Sequence, residues 1–564
     1  MVSNDFWVVF AMLLYFVAVL TIGFVYAKRS NSSTAEYFLG GRGVGPWLTA
    51  LSAEASDMSG WLLMGLPGVA YFTGASDAMW TAIGLAIGTY LNWKFVAKRL
   101  RKYSVVAGDS ITLPEFYSKR FHDRKNIVST VAALIIMVFF CVYVGSCFVT
   151  CGKLFATLFG LDYATMMVLG AIIVFLYTLV GGYLSVVTTD FVQGVLMFFA
   201  LATVFVGSVA WAGGVDNTVA FLQNIPGFLS GTQIAVPLVD DAGRQLVENG
   251  TPLFGDAAEY PLITIASMLA WGLGYFGMPQ VLVRFMGIRS ADEVKKSRVI
   301  AVVWCVVSLA CGICIGLVGR VIIPVDFATQ AQAENVFIVL SQMILPPFMC
   351  GVVVSGIFAA SMSSSSSYLL IAGSSVAENI FRGVVKKDAT DRQVMIVARL
   401  TLIAVFMFGI IVAYDENSSI FGVVSYAWAG LGASFGPLTP VRLVLAPRQH
   451  AGCAGRHDHW YGHGARLAQL HQASRRRVRH LRAAPRVRPV VRRHHHRVAA
   501  HARPVGGGRE RVRPLHGRRG SRRRKGRAVV GSFTVAQHLE EATTTLGGLL
   551  FFPSCLMEGL FVVS

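Results

Sequence analysis

An acidic residue, Asp57, lies within an apolar segment that is long enough to cross a membrane. It stands in the sequence Ser-Asp-Met-Ser-Gly, inside a largely apolar run from 46 to 73. A carboxylate in the middle of a bilayer is unfavourable unless a cation offsets its charge. Glycine and small polar residues allow the helix to unwind there, and the freed carbonyl oxygens suit a hard cation. We therefore predict cation binding beside Asp57; capping of a half-helix N-terminus by this carboxylate is a compatible alternative.

Serine hydroxyls are concentrated in a second apolar segment. Six of the seven residues from Ser361 to Ser367 are serines, which is more than a lipid-facing helix needs. Most of these hydroxyls are expected to bond back to their own helix or to allow close packing against a neighbour. Two adjacent hydroxyls that face the segment around Asp57 would complete an oxygen cage for an ion, but the spacing does not decide which two.

Three aromatic residues are candidates for contacts with an organic solute. Trp271 and Tyr275 are four residues apart, so one helix face presents both. Tyr143 lies in another apolar segment. Such a lining would suit a small zwitterion with an apolar ring, whose charged ends can interact with the ends of broken helices. Packing against neighbouring helices is an equally good explanation for any one of these aromatic residues.

The segments that hold these residues are typical of a polytopic membrane protein. The chain has 564 residues, of which 54% are hydrophobic and 14% are charged, whereas a soluble domain is about 25% charged. Apolar runs long enough to span a bilayer define eleven candidate spans, which we number 1 to 11 in chain order. They lie near 6–27, 46–73, 76–97, 127–157, 163–180, 188–212, 259–282, 299–323, 346–373, 393–414 and 418–440.

Basic residues between the spans predict the orientation of the chain. With the N-terminus outside, the cytoplasmic loops hold 21 lysines and arginines, Arg284 among them, and the external loops hold one, Arg244. This asymmetry follows the positive-inside rule. A single missed span would scramble it, so the distribution favours both the eleven spans and the external N-terminus.

Spans 2 and 7 are interrupted by glycine, and each has a proline late in the segment. After span 1, they open two successive groups of five spans, and because five is odd the second group must be inverted relative to the first. Interrupted segments at matching positions of two halves indicate the binding site of a transporter, although two ordinary kinked helices would look similar.

Five longer motifs make the comparison with a known family specific. They are Tyr37–Arg42, Ser56–Gly68, Gly181–Tyr183 with Thr189–Gln193, Trp271–Pro279 and Ala359–Ser367. Together they resemble the sodium:solute symporter family, and the similarity runs from about residue 5 to 438. The resemblance implies an all-α protein with a LeuT-type five-plus-five inverted repeat and one extra N-terminal helix. It also implies a multi-pass protein of the bacterial cytoplasmic membrane that is not an enzyme and imports L-proline with sodium by alternating access.

The resemblance further implies roles for individual residues. For sodium, it implies ligands from the backbone carbonyls of Ala55, Met58 and Ala360 and from the hydroxyls of Ser363 and Ser364. For proline, it implies contacts from Tyr143, Trp271, Tyr275 and Pro279. For coupling or gating, it implies Asp57 with Ser59 and Gly60, together with Arg42 and Asp190. The family often has threonine where this chain has Ser364, and the hydroxyl is kept.

The chain departs from the family pattern after about residue 438, where the family continues with further spanning helices. The segment 441–530 holds 25 basic residues, of which only one is lysine, and two acidic residues. An excess of arginine and alanine without lysine is typical of GC-rich coding DNA translated out of frame. We therefore predict a symporter domain at 1–440, an aberrant and disordered segment at 441–530 and a tail of uncertain nature at 531–564. A nucleic-acid or anionic-lipid arm and a histidine metal site are the alternatives, and we expect no nucleic-acid partner.

Two other functions are compatible with the same motifs. A symporter of this family could carry another small organic solute, and a membrane sensor could use the transporter fold as its input domain. A sensor should have a recognisable signalling module after its last helix, and none is readable in this sequence. Nothing in the sequence resembles a repeated selectivity filter, which disfavours a channel. We expect L-proline, sodium and the lipid bilayer as partners.

Overall fold

The structure is a computed structural model that describes residues 4–30, 33–440 and 443. The predicted symporter domain therefore lies almost entirely within the described residues. The Arg- and His-rich segment at 441–530 lies outside them apart from Leu443, and so does the tail at 531–564.

Each of the eleven predicted spans corresponds to a helix or to a set of consecutive helices. Seven of them are single helices, and their ends differ most from the predicted ones where the first turns carry polar or charged residues. Spans 6 and 8, for example, begin at Tyr183 and Val294 rather than near 188 and 299. The single helices are span 1 at Asn4–Ser30, span 4 at Ile127–Phe159, span 5 at Tyr163–Val180, span 6 at Tyr183–Trp211, span 8 at Val294–Ile322, span 10 at Asp391–Val412 and span 11 at Ile420–Phe435.

The other four spans change their helical type along their length. Span 2 consists of Pro46–Gly60, a π-helical turn at Trp61–Gly65 and Leu66–Thr73. Span 3 consists of Ala75–Leu91 and a π-helical turn at Asn92–Ala97, and it continues into Lys98–Val106. Span 7 consists of Leu262–Leu269, Trp271–Gly274, a 3-10 turn at Tyr275–Gly277 and Pro279–Gly287. Span 9 consists of Pro347–Ser374 and a π-helical end at Ser375–Val385.

Shorter elements connect the spans. The helical ones are Thr34–Leu39, Gly40–Arg42, Leu113–Arg120, Val215–Gln223, Gln330–Ala333, Val336–Ile344 and Leu438–Pro440. Between spans 6 and 7, strand Gln233–Ile234 pairs antiparallel with Ala258–Glu259, and Val247–Glu248 pairs antiparallel with Thr251–Pro252. The connection between spans 6 and 7 thus contains two short β-hairpin-like pairs.

Length and apolarity alone identify fewer crossings than the sequence pattern. In the described part of the chain, six helices are long and apolar enough to cross a membrane, and the bent pair Leu262–Gly277 with Pro279–Gly287 would make a seventh. These are spans 1, 4, 6, 8, 9, 10 and 7. Spans 2, 3, 5 and 11 are helical but do not meet that criterion on their own, because they are short or carry polar breaks.

The break in span 2 falls at Ser59, whose backbone is not helical, with φ 46° and ψ −167°. Gly60 allows the chain to pass close to span 4 at this point. A β-carbon at Gly60 would lie 2.3 Å from the Thr150 hydroxyl oxygen, so a side chain there would force the two helices apart. The predicted interruption is therefore confirmed, and it lies two residues after Asp57.

The break in span 7 falls at Met278, which is extended at φ −80° and ψ 108°. The following residue, Pro279, disfavours a helical conformation at the residue before it and is well suited to begin a new helix. The two halves of the span meet at 43°. Gly277 lies in tight contact with span 11, where a β-carbon would lie 2.6 Å from the Leu431 carbonyl oxygen.

Span 9 lies at the centre of the helix bundle. In an apolar stretch of 18 residues within this span, 83% of the residues are buried, compared with 22% in the corresponding stretch of span 1. It packs against spans 1, 2, 4, 6 and 10. All of the residues from Val353 to Ser374 are buried, so the serine-rich stretch does not face lipid.

Candidate functional site

The two broken spans are joined by a hydrogen bond close to their breaks. Asp57 lies in the last turn before the break of span 2, and its side chain is buried. Gln280, the second residue of the half-helix that follows the break in span 7, donates from Nε2 to Asp57 Oδ1 across 3.0 Å. Gln280 was not identified from the sequence, although its place directly after the proline of an interrupted span is a usable signal.

The charge of Asp57 has no cationic side chain beside it. Among the residues that the structure describes, the three buried cations have other partners: Arg284 pairs with Asp190 at 3.0 Å, Lys153 pairs with Glu334 at 2.7 Å, and Arg320 donates to Gln245 Oε1 at 2.6 Å. No described lysine or arginine forms an ion pair with Asp57. A buried carboxylate in this situation favours the binding of a cation from outside the protein.

The serine-rich stretch meets span 2 one turn before the break. Ser363 Oγ donates to the Ala55 carbonyl oxygen at 2.7 Å, and it also lies 3.1 Å from the Ala360 carbonyl oxygen of its own helix. Ser364 Oγ lies 3.4 Å from the same Ala55 oxygen. Four of the five predicted sodium ligands therefore converge on one buried point. Of the six serines in the stretch, these two reach span 2 in this way, which the spacing alone did not decide.

The fifth predicted ligand, Met58, lies at the break itself. Its carbonyl oxygen and that of Ser59 accept a hydrogen bond from the Trp61 amide, which also lies 3.2 Å from Ser59 Oγ. Among the described residues, no hydrogen bond joins Met58 to Ser363 or Ser364. At the break, the Met58 carbonyl thus accepts from the amide three residues later rather than four, and it lies three residues after Ala55 in the chain.

A small cavity lies against the break in span 2. Its free volume is about 10 Å³, roughly what one water molecule needs. The lining combines one carboxylate with aromatic and aliphatic side chains. The lining residues are Asp57, Met58, Trp61, Leu85, Tyr143, Trp271, Val424 and Trp428.

Half of the residues that line this cavity are aromatic, and rings from spans 2, 7 and 11 pack against one another there. The ring centre of Trp271 lies 5.6 Å from that of Trp61, 5.3 Å from that of Phe421 and 6.2 Å from that of Trp428. Tyr275 stands edge-on to Trp428 at 5.2 Å. We call these five residues the aromatic cluster. Spacing predicted Trp271 and Tyr275 but missed the other three, because they come from spans 2 and 11 and meet only in the folded protein.

Of the four predicted solute contacts, two line the cavity and two do not. Tyr143 and Trp271 line the cavity, and the Tyr143 ring packs at 4.4 Å against that of Tyr368. Tyr275 and Pro279 are fully buried and do not line it. The Tyr275 hydroxyl forms no hydrogen bond with the described residues. Pro279 is the first residue of the half-helix that carries Gln280, so its contribution here is to the break.

The predicted coupling residue Asp190 belongs to a buried polar network. Its Oδ2 atom accepts from Arg284 Nη2 at 3.0 Å and from Ser52 Oγ at 2.6 Å. Arg284 also donates from Nε to Ser52 Oγ at 3.0 Å and from Nη2 to Ser367 Oγ. The assignment of Arg284 to a cytoplasmic loop was wrong: it lies within the half-helix Pro279–Gly287 and is 1% exposed. Its carboxylate partner explains how a cation can be buried there.

Arg42, the other predicted coupling residue, contacts a different part of the protein. It forms an ion pair with Asp109 at 2.9 Å and hydrogen bonds to Ser104 Oγ and to the Ser110 carbonyl oxygen. It also donates to the carbonyl oxygen of Met286 at 2.8 Å. Arg42 therefore does not line the cavity, but it holds the far end of the half-helix that carries Gln280 and Arg284.

A second buried ion pair fixes the start of span 11. Glu334 accepts from Lys153 Nζ at 2.7 Å, from Ser419 Oγ at 2.8 Å and from the amides of Ile420 and Phe421 at 3.0 Å. A carboxylate at a helix N-terminus is favoured by the helix dipole. Because Phe421 packs against Trp61 and Trp271, which line the cavity, this ion pair positions a residue that supports the cavity wall. The sequence signal was a lysine inside an apolar run, which requires a partner.

This chain is similar to known proteins in both sequence and fold. The model of the sodium:solute symporter family matches residues 37–446. Sodium/proline symporters of Staphylococcus aureus strains JH9 and NCTC 8325 / PS 47 are each 40% identical over 450 residues, which cover 79% of this chain and 83% of theirs. A sodium-coupled sialic acid symporter solved in an outward-open state superposes with a TM-score of 0.62 at 21% identity, covering 78% of this chain and 88% of that one.

The match to the family model and the extent of the identity confirm the family expectation, and the superposition confirms the fold. The protein is a helical, multi-pass membrane transporter rather than an enzyme, and sodium is its coupling ion. This chain belongs to the sodium:solute symporter family.

Proposed function

We propose that this protein imports L-proline together with sodium across the cytoplasmic membrane of a bacterium. The observation that carries the proposal is the buried Asp57 carboxylate, which has no cationic partner among the described residues and borders an aromatic cavity. The names of the 40% identical relatives support proline as the solute. The distribution of basic residues supports an external N-terminus.

In this proposal, sodium binds where spans 2 and 9 meet. Its ligands are the carbonyl oxygens of Ala55, Met58 and Ala360 and the hydroxyl oxygens of Ser363 and Ser364. The Ser363 hydroxyl donates to the Ala55 carbonyl at 2.7 Å, so binding requires the hydroxyl hydrogen to rotate away and leave both oxygens facing the ion. Such a rotation needs no movement of the backbone. Asp57 contributes the negative charge that makes a cation favourable at this depth.

Proline binds in the cavity beside the ion. Its apolar ring packs against the aromatic faces of Trp271 and Tyr143, which both line the cavity. The cavity has room for about one water molecule, which is less than proline needs, so the entry of proline requires the aromatic cluster to open. Trp428 of span 11 lines the cavity, and Phe421 of the same span packs against Trp61 and Trp271, so a movement of span 11 would carry both rings outwards.

Coupling between the two sites depends on the half-helix Pro279–Gly287. Gln280 near its start contacts Asp57, Arg284 contacts Asp190, and the Met286 carbonyl near its end contacts Arg42. A change at the ion site is thus transmitted directly to an element that can move as one body. Transport then follows alternating access, driven by the sodium gradient and the membrane potential, which contributes about 2.3 kcal/mol per charge per 100 mV.

The test is uptake of labelled L-proline by the full-length protein reconstituted into vesicles. An inward sodium gradient should drive accumulation, and the same gradient of potassium should not. Unlabelled L-proline should compete, whereas alanine, glutamate and a neutral sugar should compete weakly. Sodium-driven uptake of one of those competitors without proline uptake would show that the solute is wrong while the family stands.

A further inference from the structure

Two cations share one aromatic ring at the end of spans 3 and 8 that carries the basic loops. Lys94 Nζ lies 5.2 Å from the ring centre of Tyr90, and the Arg298 guanidinium lies 5.5 Å from the same centre. Tyr90 is 39% exposed. Neither cation forms an ion pair with any acid in the described part of the chain. Two positive charges are therefore held close together on the outer surface of the bundle without a counter-charge from the protein.

Next to these cations, towards the middle of the bilayer, the exposed surface of spans 3 and 8 is apolar. On span 3, the exposed residues Ile83, Ile87 and Tyr90 precede Lys94 at intervals of four, three and four, so they lie on one helix face. On span 8, Val299 and Val303 follow Arg298, and each is 57% exposed. Spans 3 and 8 pack against each other. On the bilayer side of the two cations, spans 3 and 8 thus present two neighbouring apolar faces.

A groove at the start of span 8 adds further positive charge. It is lined by Lys295, Lys296 and Asp292 together with two aliphatic residues, and its volume is about 480 Å³. The Asp292 carboxylate is paired with Lys98 at 2.9 Å. Lys296 lies 6.0 Å from the ring centre of the exposed Trp47, and tryptophan and tyrosine are typical of the headgroup level of a membrane.

We propose that Lys94 and Arg298 bind the phosphate of an anionic phospholipid whose acyl chains lie along the exposed apolar faces of spans 3 and 8. The two cations supply the charge that complements a phosphodiester, and the guanidinium can donate two hydrogen bonds to its oxygens. The apolar faces distinguish a lipid from a soluble phosphate, because only a lipid can cover them. Lys295 and Lys296 lie in the groove next to this position and accommodate an acidic headgroup.

The experiment measures phosphatidylglycerol binding to the purified full-length protein in detergent by native mass spectrometry. Replacing Lys94 and Arg298 by glutamine should raise the Kd of the tightest phosphatidylglycerol by at least about five-fold, since one cation near an anionic lipid contributes about that factor. The matched control replaces Lys386 and Lys387, exposed lysines of the loop before span 10, by glutamine. It removes the same charge and should leave the Kd unchanged. Lys94→Arg should also retain binding.

Four outcomes would overturn the proposal. Equal weakening in both double variants would mean that only the overall charge matters. Unchanged binding in the Lys94 and Arg298 variant would place the lipid elsewhere. Displacement of phosphatidylglycerol from the unmodified protein by inorganic phosphate, or equally tight binding of zwitterionic phosphatidylcholine, would show that the site does not recognise an anionic lipid. The last comparison requires no substitution and therefore does not depend on the folding of a variant.

Discussion

Arg284 and Asp190 form an ion pair of 3.0 Å in which both side chains are closed to solvent, at 1% and 0% exposure. The pair joins the broken span 7 to span 6, and Ser52 of span 2 bonds to both partners. Arg284 also donates to Ser367 of span 9, so four spans meet at one polar point inside an apolar bundle. A pair of this kind is costly to disrupt on one side, because the remaining charge is left buried and unpaired.

Replacing one partner of this ion pair should destabilise the protein more than replacing both. Arg284→Gln is expected to lower the free energy of unfolding by about 3 kcal/mol, since Asp190 would be left without its cation. The double variant Asp190→Asn with Arg284→Gln should recover part of that loss, because amides can bond to each other and to Ser52. Thermal unfolding of the purified variants in detergent measures both effects. A double variant that is as unstable as the sum of the single ones would contradict the pairing.

The sodium site can be tested through the hydroxyls that reach span 2. Ser363→Ala with Ser364→Ala, or Asp57→Asn, should raise the sodium concentration for half-maximal transport by at least about ten-fold, the equivalent of about 1.4 kcal/mol. The amount of protein in the membrane should change far less. Sodium titration of proline uptake in vesicles measures the shift.

A matched control for the serine variant lies in the same span. Ser355 and Ser374 donate to carbonyl oxygens of their own helix, at Gly351 and Ile371. Replacing both by alanine removes two hydroxyls from span 9 without touching span 2, so the sodium dependence should stay as it is. If the sodium dependence of the Ser363 and Ser364 variant also stayed the same, the assignment of the ion site would be wrong.

Substitutions in the aromatic cluster should lower the affinity for the solute without lowering the affinity for sodium. Trp271→Ala should raise the KM for proline by about ten-fold or more, because burial of an apolar ring against an aromatic face is worth about 1–3 kcal/mol. The sodium concentration for half-maximal transport should change little, since Trp271 is not one of the proposed sodium ligands. Tyr275→Ala should act in the same direction through its contact with Trp428.

The control for the aromatic wall is Trp211→Ala, at the end of span 6, where the side chain is 59% exposed. It removes the same indole from the surface and should leave the KM for proline unchanged. Concentration series of labelled proline at saturating sodium measure both variants. A Trp271→Ala protein with an unaltered KM would remove this residue from the proposed solute site.

The spans and their breaks could be predicted because hydropathy and glycine–proline spacing are local properties. The break at Ser59 and the break at Met278 lie where glycine and proline stand in the sequence. The pairing of Ala55 with Ser363 and Ser364 could not be obtained from spacing. It came from resemblance to a family, since six serines within seven residues offer several equivalent pairs and only the packing of span 9 against span 2 selects among them.

The buried ion pairs escaped prediction for a different reason. Arg284 and Asp190 are 94 residues apart in the chain, and Lys153 and Glu334 are 181 residues apart. Nothing local indicates which acid a buried cation will meet. Arg284 also follows a proline and a break. The span predicted from hydropathy therefore ended before Arg284, and this residue was placed in a loop. The presence of a cation in or next to an apolar run predicts that a partner exists, but the fold must supply its identity.

The final prediction concerns the DNA that encodes the segment after the family similarity weakens. We expect residues from about 438 to at least 500 to be translated out of frame. The peptide His457-Asp-His-Trp-Tyr-Gly-His463 is encoded by CAY GAY CAY TGG TAY GGN CAY. With CAT as the first codon, reading one base later gives Met, Ile or Thr, Ile or Thr, Gly, Met or Thr, a small residue or Asp, and Met or Thr. A polar, histidine-rich stretch thus becomes an apolar one of the kind found in a spanning helix, which neither a metal site nor a nucleic-acid arm would explain.

Resequencing the source DNA across codons 430–450 should reveal an insertion or deletion, and the corrected protein should be obtained in larger amounts and transport faster than the chain as written. An uninterrupted frame, together with recovery of the basic segment from the native protein by mass spectrometry, would instead favour an arm that binds nucleic acid or anionic lipid.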